Sequence, residues 1–288
     1  MLYKQIKNIS TKEVKKLLAQ FFKEDFPDGD ITTSILQKIN NKMIYADIIT
    51  REDMIFVGEK IISSAFISED NSIIMHIKDG EAIKAGSKIC TLYANYSELL
   101  KKERVVLNLI QHLSGIASFV NQLNNKALKK NIKILDTRKT TPGIRIFEKY
   151  AVFKGGGTNH RLNLSEGILI KDNHIALYNS LEELLIKIKS YHKNKPIEVE
   201  VENLQQIQTA LKFKVDAILI DNMSPNKIKT VLSKIRKDPH GKNIFIEVSG
   251  GINHLNIDSY LIEGINAISM GCITHSIKNK DISMKFNI

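Results

Sequence analysis

Three segments of this 288-residue chain carry cationic side chains in positions suited to chemistry: Arg138-Lys139, His160-Arg161 and Lys171. A guanidinium is a planar fork that fits carboxylate and phosphate, and an ammonium adds a compact point charge. The chain has six arginines, and four of them (Arg104, Arg138, Arg145 and Arg161) fall in one stretch of a sequence otherwise rich in lysine. That clustering points to an anion site; chance and surface salt bridges are the plain alternative for this feature alone. Glu200 and Asp221 end consecutive apolar runs. Among so many cations they could bind Mg2+, which needs one or two carboxylates beside substrate phosphates. They could also accept from ribose hydroxyls or pair with Lys139 or Lys171. Ser249-Gly250-Gly251 and Met270-Gly271 follow two later runs. Glycines there let backbone N–H groups approach a phosphate closely.

Two flanking segments strengthen the case. Asp136-Thr137-Arg138-Lys139-Thr140-Thr141-Pro142-Gly143 follows an apolar run, and Pro142 suits the first position of a helix. Gly155-Gly156-Gly157 costs backbone entropy, so close approach or special dihedrals are expected there, just before His160-Arg161. Other site classes fit less well. His160, His174 and Cys272 lack zinc-ligand spacing, and no H-E-x-x-H, G-x-S-x-G or Walker motif occurs. Lys139 or Lys171 as a Schiff-base lysine of a barrel aldolase would leave the clustered arginines without a role.

The elements that must position these residues fall into two rhythms. Up to about residue 113, helix and strand signals mix. Residues 11–23 have helical spacing with Thr11 as N-cap, a turn follows at Pro27–Asp30, and strands are expected near 43–50, 54–57 and 73–77. Residues 97–123 read as a long helix. Beyond it, short apolar runs recur at 132–135, 168–170, 197–201, 217–220, 244–248 and 267–270, with helical patterns at 181–190, 203–213 and 224–236. Such runs alternating with helices predict parallel strands covered on both faces. Each run ends in a polar or glycine-rich tag. That is the habit of an α/β barrel, with a doubly wound sheet as the alternative.

Bulk properties narrow the partners. The formal net charge is +11, yet no run of five basic residues occurs and no aromatics interleave with the lysines, so nucleic-acid binding is disfavoured. The two cysteines, Cys90 and Cys272, form no CxxC pair, no apolar leader opens the chain and no stretch approaches a membrane span. A reduced, cytoplasmic setting is expected.

At these residues the chain resembles quinolinate phosphoribosyltransferase. The matching segments run through most of the sequence: Gly29–Thr33, Glu103-Arg104, Ser114–Ala117, Asp136–Gly143, Glu148–Val152, Gly155–Arg161, Leu169–Ile175, Glu198–Glu200, Asp221-Asn222, Glu247–Ile252 and Ile268–Gly271. Asn163 stands where members often have Gly, and Glu166 where they often have Asp. A related molybdenum-associated group shares part of the pattern, but Lys171–Ile175 and Glu148–Tyr150 favour the quinolinate enzyme.

The resemblance implies an α/β fold: an N-terminal α/β sandwich domain (1–113), an incomplete parallel α/β barrel (114–274) and a C-terminal tail (275–288) returning to the first domain. It implies a homodimer as the minimum assembly, extendable to a hexamer, in which Arg104 enters the partner's site. Arg138, His160 and Arg161 look like the quinolinate carboxylate clamp. Lys139 and Lys171 resemble lysines of the substrate and pyrophosphate pocket, Glu200 and Asp221 the Mg2+ and ribose carboxylates. Ser249, Gly250, Gly251 and Gly271 resemble the 5′-phosphate cradle. The implied substrates are quinolinate and phosphoribosyl pyrophosphate with Mg2+ and no organic cofactor, and neither nucleic acid nor membrane is an expected partner.

Overall fold

A computed structural model describes residues 2–35, 42–191 and 194–287, and the chain divides into two units that interleave along the sequence. One comprises Ile6–Asn121, Ile146–Gly156 and the chain from Ser276 onward. The other comprises the chain up to Gln5, Gln122–Arg145 and Gly157–His275.

The first unit is built on antiparallel strands. Among the described residues these are β1 (Met43–Thr50), β2 (Met54–Ile55), β3 (Ser72–Met75), β4 (Ala82–Ile83) and β5 (Lys88–Asn95). The last strand of the chain, here β12 (Ile282–Asn287), completes a sheet of order β12-β1-β5-β3, with β2 and β4 pairing separately. Tyr45 lies opposite Asn287 and Thr50 opposite Ile282, so the C-terminal segment covers one edge of β1 along its length. Helix Thr11–Asp25 turns Val14 and Leu18, four residues apart, toward helix Glu59–Phe66. That second helix starts at Gly58, which has no side chain to cap it. Asp79 does so from another loop: its Oδ1 accepts from the backbone N–H of Gly58 at 2.6 Å and of Glu59 at 2.9 Å.

The glycine triplet expected to be special belongs partly to this unit. A Cβ on Gly155 would lie 2.4 Å from the carbonyl oxygen of Ala117 in the long helix Tyr96–Ala127. Gly156 has φ of 90°, in the left-handed region. One residue is therefore needed for close packing and the next for its dihedral.

The second unit carries the parallel strands: β6 (Lys133–Leu135), β7 (Ile168–Ile170), β8 (Ile197–Val201), β9 (Ala217–Asp221), β10 (Phe245–Ser249) and β11 (Ala267–Ser269). Their order is β6-β11-β10-β9-β8-β7, and every described pair is parallel. Successive strands sit side by side, and the first then lies next to the last. That is the winding of a barrel. A doubly wound sheet would reverse direction at an inner strand. Among the described residues no pairing closes the sheet between β6 and β7. Thr158 instead forms an isolated parallel bridge to Leu135 on β6. Helices Leu181–Tyr191, Leu204–Lys212 and Pro225–Ile235 follow β7, β8 and β9. Asn203 and Ser224 cap the last two, each accepting a backbone N–H of the first turn.

β8 reads Ile-Glu-Val-Glu-Val with all five residues buried. Side chains alternate across a strand, so Glu198 and Glu200 share the face opposite the three aliphatic residues. Pro142 does not open a helix as the sequence suggests. Gly143 has φ of 87°, which no right-handed helix accommodates, and the helix begins at Arg145 after a turn. Thr11 is the first helical residue, and Ser10 takes the cap position.

Candidate active site

At the C-terminal ends of the parallel strands lies a cavity of about 490 Å³. Loops after β6, β7, β9, β10 and β11, the segment leading into β7, and β8 itself through Glu200 contribute to its wall. It brings together Arg138, Lys139, His160, Arg161, Lys171, Glu200, Asp221, Ser249, Gly250, Gly251 and Gly271, all anticipated from sequence. Arg104 is not in this wall. It is exposed on helix Tyr96–Ala127, in the antiparallel unit, and all lining residues come from the parallel unit.

Asp136, fully buried at the end of β6, organises the cationic loop. Its Oδ1 accepts from the backbone N–H of His160 at 2.8 Å and its Oδ2 from the Asn159 side-chain amide at 2.7 Å. A carboxylate receiving such donors holds a loop rigidly. Arg161 follows, and its Nη1 donates to the carbonyl of Gly167 at 3.0 Å. Only 6% of Arg161 is exposed. Burial, together with the nearby Arg138 charge, pulls its pKa below the ordinary value, while Tyr3 and Glu198 act the other way. Two guanidiniums in one cavity wall make the local potential positive.

His160 takes a different place from its cationic neighbours. Its Nδ1 accepts the Arg161 backbone N–H at 2.8 Å, so that nitrogen carries a lone pair. The ring proton is then on Nε2, which lies 3.2 Å from Glu198 Oε2 and 3.7 Å from Glu247 Oε1. Glu198 Oε2 also accepts from the Tyr3 hydroxyl at 2.7 Å. His160, Glu198 and Glu247 are close enough to suggest a metal set. A ligating histidine must present a lone pair and donate from its other nitrogen, and here the polarity is reversed. The cluster is a proton-holding floor. Burial, then the charge of Glu198, pushes the Glu247 carboxyl from its ordinary 4.5 up to about 8, so it is protonated at neutral pH. Ser269 and His160 favour its charged form, yet neither of its oxygens receives an aligned donor.

The two carboxylates nearer the mouth behave differently from each other. Lys171 Nζ donates to Glu200 Oε2 at 2.5 Å, the ion pair that the sequence left as one of three options. Asp221 is half-buried, and burial raises its pKa against the opposing pull of Lys171 and Lys139. The glycine loops are explained by contact. A Cβ on Gly250 would stand 2.3 Å from Asn222 Oδ1, and its φ is +99°. On Gly271 it would meet Lys139 Cδ at 2.8 Å. Gly271 thus leaves the space that Lys139 occupies, and the Thr274 hydroxyl fixes the Lys139 carbonyl at 2.6 Å.

Glu198, Glu247, Asp136 and Tyr3 received no role from the sequence. For the two glutamates a signal was present: a charged residue inside an otherwise apolar run, two positions before a strand-end polar residue. Asp136 opens the polar tag after the run 132–135, and Tyr3 gave no signal.

Fold and cavity define a class, a barrel-type α/β unit whose strand ends gather cations and glycine loops around one cavity. Comparison narrows it. Residues 116–285 match the family model of the quinolinate phosphoribosyl transferase C-terminal domain, and residues 30–114 match that of its N-terminal domain. A probable nicotinate-nucleotide pyrophosphorylase (carboxylating) of Bacillus subtilis (strain 168) is 42% identical over 275 residues, covering 94% of this chain and 93% of that protein. A nicotinate-nucleotide pyrophosphorylase (carboxylating) of Mycobacterium leprae (strain TN) is 32% identical over 266 residues, covering 91% and 93%. The solved nicotinate-nucleotide pyrophosphorylase of Francisella tularensis superposes with a TM-score of 0.91 at 35% identity, over 99% of both chains. The chain belongs to the quinolinate phosphoribosyltransferase family.

Proposed function

We propose that the chain transfers the phosphoribosyl group of phosphoribosyl pyrophosphate to quinolinate and releases pyrophosphate and carbon dioxide, giving nicotinate mononucleotide for NAD biosynthesis. The observation that carries this is the convergence of Arg138, Arg161, Lys139 and Lys171 on one cavity beside two glycine loops. Quinolinate is a dianion and its co-substrate carries more charge still. Only a concentrated set of cations offsets their mutual repulsion and holds them within reaction distance.

Arg138 and Arg161 bind the quinolinate carboxylates, and Lys139 and Lys171 the pyrophosphate. Gly250, Gly251, Gly271 and Ser249 cradle the 5′-phosphate. His160 supports Arg161 from beneath, since both its ring nitrogens are engaged by protein groups. The pyridine nitrogen attacks the anomeric carbon; the bond to pyrophosphate breaks and takes its electron pair with it. The ring nitrogen is now cationic. The bond to the adjacent carboxylate then breaks, carbon dioxide leaves and the pair stays on the ring carbon, stabilised by that cation until a proton arrives. No Schiff base or organic cofactor enters.

Glu200 and Asp221 fit Mg2+ as oxygen donors at neighbouring strand ends, and a nearby dication would reverse the upward shift of the Asp221 carboxyl. Mg2+ would supply charge neutralisation to the departing pyrophosphate. Lys171 holds Glu200 in place, and both carboxylates face positive charge developing on the sugar.

The working unit is a dimer. Arg104, exposed on its helix, is the residue that would complete the site of a second copy. Mixing inactive Arg104→Ala with inactive Arg138→Ala should restore part of the activity as hybrids form; failure to recover in verified hybrids rejects the shared site. The activity itself is tested with carboxyl-labelled quinolinate, phosphoribosyl pyrophosphate and Mg2+. Equal amounts of nicotinate mononucleotide and labelled carbon dioxide are expected. Product formation from nicotinate without carbon dioxide would assign another base.

A further inference from the structure

The first few residues of a chain usually fray unless something ties them down. Here Tyr3 is only 6% exposed. Its ring stacks on the His160 imidazole with centroids 4.6 Å apart and planes at 29°. Its hydroxyl donates to Glu198 Oε2 at 2.7 Å, which satisfies a buried polar group. Two residues on, Gln5 clasps the loop that leads into His160: its Nε2 donates to the Asn159 carbonyl at 3.0 Å, and its Oε1 accepts the Asn159 N–H at 2.7 Å. The other side of that loop is held by Asp136.

Arg161 has two anchors, and Tyr3 touches both. The Arg161 backbone is fixed by the His160 ring on which Tyr3 stacks. The Arg161 guanidinium is fixed by the carbonyl of Gly167. A Cβ on Gly167 would fall 2.6 Å from Tyr3 Cε1, so the tyrosine ring lies directly against that residue. An aromatic ring between two anchors of one guanidinium sets both the position and the direction of the charge.

We infer that Tyr3, with Gln5, is a positioning residue for Arg161, and that this N-terminal strap sets quinolinate affinity without touching substrate. The inference rests on Arg161 binding a quinolinate carboxylate, as proposed above. A strap of this kind has a specific signature. Loosening Arg161 weakens the substrate it grips and leaves the sugar-phosphate side of the cavity alone, because Tyr3 and Gln5 hold the His160 loop, Glu198 and Gly167 on the Arg161 side.

The test is steady-state kinetics of the full chain with each substrate varied in turn. Tyr3→Ala should raise the KM for quinolinate about tenfold, with the KM for phosphoribosyl pyrophosphate changed less than twofold. Tyr3→Phe keeps the stacked ring and the contact with Gly167, so it should restore the quinolinate KM to within about threefold of the unmodified chain. Equal rises in both KM values, or no change in either, overturn the inference. Should Tyr3→Ala not fold, Gln5→Ala carries the same test: it removes both bonds to Asn159 and the bond to the Tyr3 carbonyl while keeping the tyrosine side chain. A quinolinate KM unchanged in Gln5→Ala then overturns it. An unmodified chain that makes no product from quinolinate would take down the proposed function and this inference with it. Product formation with unselective variants takes down the inference alone.

Discussion

The Lys171 ammonium meets the Glu200 carboxylate at 2.5 Å, joining the end of β7 to the neighbouring strand β8. The lysine side chain is 44% exposed and the glutamate side chain 10%. The pair therefore lies between a surface salt bridge and a buried one. It faces the cavity, and a bound polyanion would compete with Glu200 for the same lysine.

Removing either partner should separate stability from turnover. Lys171→Ala leaves a mostly buried carboxylate without its cation and should cost about 1–2 kcal/mol, between the surface and buried limits. Glu200→Gln keeps a hydrogen-bonding group of the same size and should melt near the unmodified chain, yet lose about 10²-fold in turnover. Thermal melts and kcat for both variants check this. A Glu200→Gln variant with unchanged kcat contradicts a role for that carboxylate in the reaction.

Arg138→Ala and Arg161→Ala should each lower kcat/KM for quinolinate by about 10²-fold, from roughly 2–3 kcal/mol per lost charge-assisted contact. Arg138 is exposed, so its variant should keep its melting temperature. Arg161 is 6% exposed and hydrogen-bonded to Gly167, so its variant should melt lower as well. Circular dichroism melts beside the kinetics distinguish the two.

The glycine loops differ in what they tolerate. Gly250→Ala meets Asn222 backbone and side chain at a φ of +99°, and should destabilise by about 1–3 kcal/mol. Gly271→Ala meets the stem of Lys139 and the ring of His275, both side-chain groups that can shift. It should leave stability nearly unchanged and raise the KM for phosphoribosyl pyrophosphate. Equal melting temperatures for both variants would count against these loop geometries.

Glu247 adds a pH dependence to stability. Its folded-state pKa, about 8, lies above its ordinary 4.5 because burial and Glu198 disfavour the charge. The folded chain therefore keeps a proton that the unfolded chain releases. The contribution is intact below pH 4.5 and is lost as pH rises toward about 8. Glu247→Gln should flatten that decline in urea melts taken across this range. The same slope in both proteins would mean that another group sets it.

The parallel strands were legible because each is a short, continuous aliphatic run, and much of the cavity lining because its cations and glycines follow those runs directly. β7 and β8 fall within the stretches read from sequence. Reading failed where the cause lies far away along the chain. Tyr3 finds Glu198 and Gln5 finds Asn159 across 195 and 154 positions, and no local pattern marks such a pair. Asp79 capping the helix at Gly58 is another case. The helix starts at Arg145 and not at Pro142 because the left-handed Gly143 stands between them, a dihedral that residue type alone does not reveal. His160 illustrates a third limit: residue type does not show that its Nδ1 accepts the Arg161 N–H while its Nε2 faces Glu198.

A crystal structure with quinolinate and a non-reacting phosphoribosyl pyrophosphate analogue would judge the convergence of these loops most directly. Both quinolinate carboxylates should lie on Arg138 and Arg161, with the 5′-phosphate against Gly250, Gly251 and Gly271. Quinolinate bound away from both arginines, or a phosphate seated elsewhere than the β10 and β11 loops, would contradict it.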